Sequence, residues 1–144
     1  MRPRRAAWIS GLVLTVGGGW FAPVIRAATP APRGALVYFH YPLDGISVPQ
    51  RFTVRIGLKE MGVAPAGVNK PNTGHHHLLI DKDLRDLSGP IPSDYNHIHL
   101  GNGQTEVVIT LAPGAHTLQL VLGDWDHVPF SPPVMSNKIT VYVR

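Results

Sequence analysis

The sequence predicts an all-β domain that folds as a β-sandwich. Several short segments alternate apolar and polar residues with a period of two, which is the pattern of strands that bury one face. Turn-forming Pro, Gly, Asn and Asp residues separate these segments. No segment combines a sustained helical periodicity with capping residues, and a helical turn is predicted at most within residues 79–87. Together these patterns favour two packed sheets.

The first three predicted strands are residues 36–41, 52–58 and 75–81. Pro42 and an Asp-Gly turn end the first of them. In the second strand, apolar side chains at the even positions alternate with polar residues or glycine, so that one face points inward. The third strand begins in a run of three histidines and continues into apolar residues.

The last three predicted strands are residues 105–111, 116–122 and 138–143, and in each of them apolar residues at every second position share one face. The domain opens with a strand that ends in Pro-Leu-Asp-Gly, followed by Val48 and Phe52-Thr-Val. This opening resembles the start of immunoglobulin-like periplasmic domains. The resemblance implies an immunoglobulin-like β-sandwich of about seven strands.

The chain divides into a predicted export signal (residues 1–27), a Pro-rich linker (28–34) and the β-sandwich domain (35–144). In the signal, an arginine-rich start precedes an apolar run, and the small residue Ala27 precedes the cut. A permanent membrane anchor is the alternative. However, three glycines and a proline interrupt the window of about 20 apolar residues that a span requires. We therefore expect a periplasmic or secreted domain with no membrane span after signal cleavage.

Charge and cysteine content exclude two classes of function. Four of the thirteen basic side chains lie in the signal, which leaves nine basic and nine acidic side chains in the domain. A neutral domain lacks the basic face that nucleic-acid phosphates require. The chain contains no cysteine, so thiolate zinc sites are excluded as well.

All eight histidines lie in the predicted domain, and they include two His-x-His pairs, His75/His77 and His97/His99. Residues i and i+2 of an extended segment point to the same side, so each pair can present two imidazoles to one ion. Neutral imidazole binds copper, zinc, nickel and iron. Two long connections rich in Pro, Gly and Asn are predicted at residues 62–74, next to the first pair, and 83–103, which contain the second pair; long loops often carry function. We therefore predict these four histidines as metal ligands.

Two further histidines are candidate metal ligands. His116 begins a strand after a tight turn, and His127 follows an Asp-Trp-Asp segment whose carboxylates can orient a ring. Met61 and Met135 would favour Cu(I) if they reached the site, although methionine more often fills gaps in a core. No phosphate-binding loop, dinucleotide fingerprint or recognised nucleophile–base spacing is present, so we expect no enzyme, no catalytic residues and no organic cofactor.

Several longer motifs resemble a known family. They are Gly62-Val-Ala-Pro-Ala-Gly, Pro71-Asn-Thr-Gly-His-His-His-Leu-Leu-Ile-Asp81, Asn96-His-Ile-His, Gly103-Gln-Thr-Glu106, Pro113-Gly-Ala-His-Thr-Leu-Gln-Leu, Gly123-Asp124, His127-Val-Pro129 and Pro132-Pro-Val134. Together they resemble the bacterial exported family catalogued as domain of unknown function 4399, from about Ala35 to the C-terminus. The resemblance implies an exported, sandwich-like domain and assigns no reaction.

The histidines lead us to expect a periplasmic protein that binds a transition metal, with copper first and zinc second. Its expected role is that of a carrier or sensor, and its expected partners are the metal ion and another periplasmic protein. The alternative is a non-metal binding or structural module of the cell envelope, whose histidines pack and hydrogen-bond. The two hypotheses differ in whether the imidazole nitrogens converge within coordination distance.

Overall fold

The computed structural model describes residues 27–144, and this part of the chain contains nine β-strands and no helix. In chain order the strands are β1 (Leu36–Tyr41), β2 (Ser47–Val48), β3 (Arg51–Lys59), β4 (Gly62–Val63), β5 (Thr73–Ile80), β6 (His97–Leu100), β7 (Glu106–Thr110), β8 (Gly114–Gly123) and β9 (Ile139–Val143). The all-β prediction is confirmed. The predicted export signal, apart from Ala27, lies outside the described residues. Within residues 27–144 no helix is long and apolar enough to cross a membrane.

All six predicted strands are present, with ends that agree to within two residues. The three strands that were not predicted are short: β2 and β4 have two residues each, and β6 has four. Such segments are too short to produce a visible alternation. The helical turn predicted within residues 79–87 is wrong, because β5 continues to Ile80 and bends follow it. Residues 97–100, predicted as part of a loop, form β6.

The strands form two sheets that pack as a β-sandwich. One sheet has the order β1-β3-β7 and is antiparallel throughout. The other has the order β2-β9-β8-β5-β4, and β6 also pairs with β5. β5 is therefore central: it is antiparallel to β8 and to β6, and its first residues pair in parallel with β4.

The inner faces of the two sheets share one hydrophobic core. Val54 and Ile56 of β3 contribute to it from one sheet, and Leu78, Ile80 and Leu120 contribute from the other. Because successive side chains of a strand point to opposite faces, the neighbours of Leu78 lie on the other side of the six-stranded sheet. This side, turned away from the three-stranded sheet, is called the outer face below.

Loops cover the outer face around β5. They are the β4–β5 loop (residues 64–72), the β5–β6 loop (81–96) and the β8–β9 loop (124–138). Ile91 of the β5–β6 loop packs with Leu79 and Val121 in a second buried apolar cluster. The Ile91 N–H donates to the His127 carbonyl at 2.8 Å, which joins two of these loops. Although it faces away from the core, the outer face of β5 is therefore buried beneath these loops.

The N-terminal segment is also attached to the domain. The Ala31 N–H donates to the Ser131 carbonyl at 3.1 Å, and the Ser131 N–H donates to the Thr29 carbonyl at 2.9 Å. Residues 29–31, predicted as part of a linker, thus run alongside the β8–β9 loop.

Candidate metal centre

Strand register brings three histidines together on the outer face. In the antiparallel pairing of β5 with β6, His77 lies directly opposite His99. His75 precedes His77 by two residues on β5 and therefore points to the same side. Directly opposed residues of neighbouring strands also share a face, with Cβ atoms about 4.5–5.5 Å apart. The three imidazoles are thus placed side by side by the backbone alone.

The distances among these rings suit coordination of one ion. Ring centroids are separated by 4.8 Å between His75 and His77, 5.0 Å between His75 and His99, and 5.1 Å between His77 and His99. One potential ligand atom from each of the three residues lies within 4.8 Å of the other two. The Nε2 atoms of His75 and His77 are 3.0 Å apart. A metal about 2.0–2.1 Å from two imidazole nitrogens keeps them roughly 2.9–3.4 Å apart, so this pair already has a chelating separation.

A fourth ring reaches the same place from the β8–β9 loop. The His127 ring centroid is 4.9 Å from that of His75, 4.8 Å from that of His99 and 6.0 Å from that of His77. His75, His77, His99 and His127 are called the histidine cluster below. Its members come from two strands and one loop, so it exists only in the folded domain.

The histidine cluster is buried and poor in hydrogen bonds. The side chains of His75 and His77 are fully buried, whereas His99 and His127 are half-buried. Nδ1 of His75, Nδ1 of His77 and Nε2 of His99 have no hydrogen-bond partner among the described residues. A buried polar atom without a partner costs about 1–3 kcal/mol. Most buried polar atoms in native proteins are paired, so these three atoms require an explanation.

Burial also keeps the imidazoles in the form that binds metal. Desolvation, followed by repulsion from the neighbouring imidazoles, lowers the pKa of His77 to about 2. The same causes, opposed by the negative charge of Asp124, lower the pKa of His75 to about 4. Burial and His127 lower the pKa of His99 as well. The three rings are therefore neutral at pH 7, as metal ligands must be.

Two glycines leave space for the rings. A Cβ atom on Gly101 would overlap the His99 ring, and a Cβ atom on Gly123 would lie 3.0 Å from Nε2 of His77. Neither glycine has a positive φ, so the backbone itself does not demand glycine at either position. The requirement comes from the imidazoles. Sequence reasoning missed both residues, although Gly101 follows His99 at the same-face spacing of two.

His97, predicted as a ligand, lies outside the cluster. It shares the outer face with His99, but the register places it opposite Leu79, one same-face step farther along β5. Its Nδ1 is 2.8 Å from Oδ1 of Asp94. The structure therefore brings one ring of the second His-x-His pair, and not both, to the rings of the first pair.

His116, the other candidate outside the cluster, lies toward the opposite end of β8. Its Nδ1 is 2.7 Å from Oδ2 of Asp81, and its Nε2 is 2.9 Å from the Ala112 carbonyl. Both ring nitrogens are thus engaged in a loop contact. The structure brings together four of the six predicted candidates: His75, His77, His99 and His127.

The two methionines considered as soft ligands pack into apolar surroundings. Met61 packs against the main core, and Met135 packs against the outer apolar cluster of Leu79, Ile91 and Val121. The described contacts therefore place nitrogen ligands, and no thioether, at the histidine cluster.

His76 occupies the inner face of β5, between the two ring-bearing positions of the outer face. It lies opposite Leu100 on one side and Leu122 on the other. The side chain is fully buried, and neither ring nitrogen has a partner in the described part of the chain. Burial lowers the pKa of His76 to about 4, so the ring is neutral at pH 7.

Comparison with known proteins gives one family and one structural similarity. The sequence model of the family described as "Domain of unknown function (DUF4399)" matches residues 54–144, which include the whole histidine cluster. No curated protein matches. Among solved structures, the chain is similar to an endo-beta-1,4-mannanase from Thermotoga petrophila, with 19% identity and a TM-score of 0.46. The similarity covers 78% of this chain but spans only 20% of the mannanase.

The His116–Asp81 pair should be visible as a pH-dependent contribution to stability. The hydrogen bond that Nδ1–H of His116 donates to the Asp81 carboxylate raises the pKa of His116 above its usual value of 6.5. The stabilisation is then complete below the unfolded-state pKa of about 6.5 and is lost as the pH rises through the folded-state pKa. We expect Asp81→Asn to lower the His116 pKa in an NMR titration. Asn also tolerates the positive φ of residue 81. Denaturation should show a larger cost of this substitution at about pH 6 than at about pH 9; an equal cost would contradict the assignment.

His76→Leu should stabilise the domain. Leucine has a similar volume and leaves no unpaired polar atom between Leu100 and Leu122, so we expect the free energy of unfolding to rise by about 1–3 kcal/mol. His40→Leu, on the exposed side of β1, is the matched control and should change it by less than about 0.5 kcal/mol. Chemical denaturation measures both. A loss of stability in His76→Leu would mean that the imidazole has a partner in solution.

Proposed function

The chain belongs to the family described as Domain of unknown function (DUF4399), and for this member we propose a periplasmic protein that binds one transition-metal ion in the histidine cluster, copper first and zinc second. One observation carries the proposal: ligand atoms of His75, His77 and His99 lie within 4.8 Å of one another, with the His127 ring packed against them. The Nε2 atoms of His75 and His77, 3.0 Å apart, are close enough to bind one cation together.

The chemistry of the donors favours copper or zinc. The candidate ligand group consists of imidazoles alone, without a carboxylate. Calcium and magnesium prefer oxygen ligands, whereas imidazole suits copper, zinc, nickel and iron. Among divalent ions of the first transition row, Cu²⁺ binds nitrogen sites most strongly. Zinc is the second candidate because it accepts four ligands in a tetrahedron with little geometric preference of its own.

We propose a carrier or sensor role, without turnover. A catalytic zinc site usually has three protein ligands and keeps a fourth position for water or substrate. Here a fourth imidazole, that of His127, packs against His75 and His99, and we propose that it supplies the fourth ligand. Two of the rings are fully buried, so the site is built to retain an ion rather than to admit a substrate.

The predicted export signal supports a periplasmic or secreted location for this binding. Metal exchange there would involve another periplasmic protein as donor or acceptor. His99 and His127 are the half-buried members of the cluster, so exchange would proceed from their side.

The rival is a cell-envelope module whose histidines only pack and hydrogen-bond. His97 and His116 behave in that way, since each has a carboxylate partner. The histidine cluster differs from them, because three of its buried ring nitrogens have no partner within residues 27–144. His76 also lacks partners for its ring nitrogens within these residues, but it lies between Leu100 and Leu122. The convergence of several rings is therefore what favours the metal hypothesis for the cluster.

Titration of the domain with Cu(II), and separately with Zn(II), tests the proposal. We expect one ion per chain by calorimetry. We also expect a higher melting temperature, since binding to the folded state adds about 2.7 kcal/mol at a free concentration of 100 Kd. His75→Ala/His77→Ala removes two direct ligands and should weaken binding by about 100-fold or more. Loss of a residue that only supports a ligand costs roughly 10–100-fold, so the loss of two ligands should cost at least as much.

The matched control is His97→Ala/His116→Ala, which also removes two histidines but none from the cluster. It should bind with an affinity close to that of the unmodified domain. Equal affinity of the unmodified domain and His75→Ala/His77→Ala would overturn the proposal. The protein must carry no histidine tag.

Gly101→Ala provides a second test that removes no ligand. The new Cβ atom overlaps the His99 ring, so the ring must leave its position beside His75 and His77. We expect Cu(II) binding to weaken about as much as in His99→Ala. Calorimetry compares the two variants, and circular dichroism verifies that both are folded. Full affinity in Gly101→Ala would show that His99 is not a ligand.

A further inference from the structure

Asp124 is the first residue after β8 and is almost completely buried, with 1% of its surface exposed. It follows Gly123, the residue of β8 that lies opposite His75. Its carboxylate accepts hydrogen bonds from the turn that follows it and from the N-terminal segment. Oδ1 accepts from the N–H groups of Asp126 at 2.9 Å and Val128 at 3.0 Å, and Oδ2 accepts from the Thr29 hydroxyl at 2.6 Å.

Two of these donors, Asp126 and Val128, are the residues immediately before and after His127 in the sequence. The backbone of Asp124 adds two more hydrogen bonds, because its N–H donates to the Val128 carbonyl at 2.9 Å and its carbonyl accepts from the His127 N–H at 3.0 Å. His127 itself has a φ of 67°, in the left-handed region that side chains other than glycine rarely adopt. A residue in such a conformation persists only where its surroundings hold it there. Asp124 supplies those surroundings.

The Thr29 hydroxyl connects this turn to the N-terminal segment. Residues 29–31, called the N-terminal strap below, are joined to Ser131 by two backbone hydrogen bonds of 2.9 and 3.1 Å. The strap therefore contacts the β8–β9 loop on both sides of its turn, at Asp124 and at Ser131. A hydroxyl-to-carboxylate bond of this length is charge-assisted, and such bonds are about twice as strong as neutral ones.

We infer that Asp124 is a positioning residue of the metal centre, which acts with Thr29 of the N-terminal strap to hold the loop that presents His127 as the fourth ligand. The inference rests on the proposed function. It adds that the affinity for the ion depends on Asp124 and Thr29, neither of which is a proposed ligand. It also adds that the N-terminal strap is part of the metal centre.

The carboxylate of Asp124 has a second effect, which is electrostatic. Four neutral imidazoles leave the charge of a bound dication uncompensated in a buried place, and burying an unpaired charge is costly. Asp124 is the buried acid of this part of the domain, and its charge acts on His75. Substitution to asparagine keeps an oxygen that can accept from Asp126 and Val128 but removes the charge.

Three variants separate these contributions: Thr29→Val, Asp124→Asn and His127→Ala. Thr29→Val removes only the hydroxyl and keeps the shape of the side chain. We expect it to weaken Cu(II) binding by about tenfold and Asp124→Asn by about 10- to 100-fold, the range found for residues that orient metal ligands. Thr53→Val, on β3 of the other sheet, is the control and should leave Cu(II) affinity unchanged.

The coupling between Thr29 and His127 distinguishes a positioning role from a purely structural one. In a His127→Ala background, Thr29→Val should have almost no further effect on Cu(II) affinity, because the ligand that it positions is absent. The electron paramagnetic resonance spectrum of the Cu(II)-loaded Thr29→Val domain should shift toward that of Cu(II)-loaded His127→Ala. In the metal-free domain, hydrogen exchange at the Asp126 and Val128 amides should be faster in Asp124→Asn and Thr29→Val than in Thr53→Val.

Each outcome decides the inference. If Thr29→Val and Asp124→Asn bind Cu(II) as tightly as the unmodified domain while His75→Ala/His77→Ala does not, the inference is overturned and the proposed function stands. The inference also fails if Thr29→Val weakens binding equally with and without His127. If the unmodified domain does not bind Cu(II) or Zn(II), both fail. If Asp124→Asn does not fold, Thr29→Val alone decides.

Discussion

The register between β5 and its two neighbours is the constraint on which the rest of this structure depends. His77 lies opposite His99 only in the observed pairing, and a shift by one residue would turn every side chain of β5 to the other face. Apolar residues on the inner face oppose such a shift, because Leu78 and Ile80 are buried in the core with Leu120 of β8. The hydrophobic core thus fixes the positions of polar side chains that are not part of it.

The loops give the outer face its chemical character. One face of an antiparallel sheet is usually solvated, which gives its strands an alternation of apolar and polar residues. β5 lacks this alternation, since seven of its eight residues are buried. The reason is that Ile91 and the turn at His127 cover the side that would otherwise meet water, and a hydrogen bond between their backbones joins the two loops. Covering the outer face also desolvates His75 and His77, which keeps these two imidazoles neutral.

The sequence predicted most of this arrangement, and the parts that it did not predict have identifiable physical reasons. Alternation, together with apolar runs bounded by turn residues, located the six longer strands, and the i, i+2 rule placed His75 beside His77. The same rule could not separate His97 from His99, because their difference depends on which residue of β5 each one faces. The role of Gly101 depends on the tilt of a neighbouring ring, and the docking of Thr29 on Asp124 joins residues 95 positions apart. Contacts of these kinds are set by tertiary packing and leave no local pattern.

The four imidazoles of the proposed metal centre are held in two different ways. His75, His77 and His99 are attached to paired strands, and moving them would require breaking the hydrogen bonds of the sheet. His127 is attached to a turn whose geometry depends on side-chain and strap contacts at Asp124. Local opening requires less free energy where fewer buried contacts are lost, so the loop ligand would leave before the strand ligands. A site of three rigid ligands and one releasable ligand retains its ion while the loop is closed and exposes one coordination position when the loop opens. That asymmetry is what a carrier needs in order to pass an ion to a partner by ligand exchange.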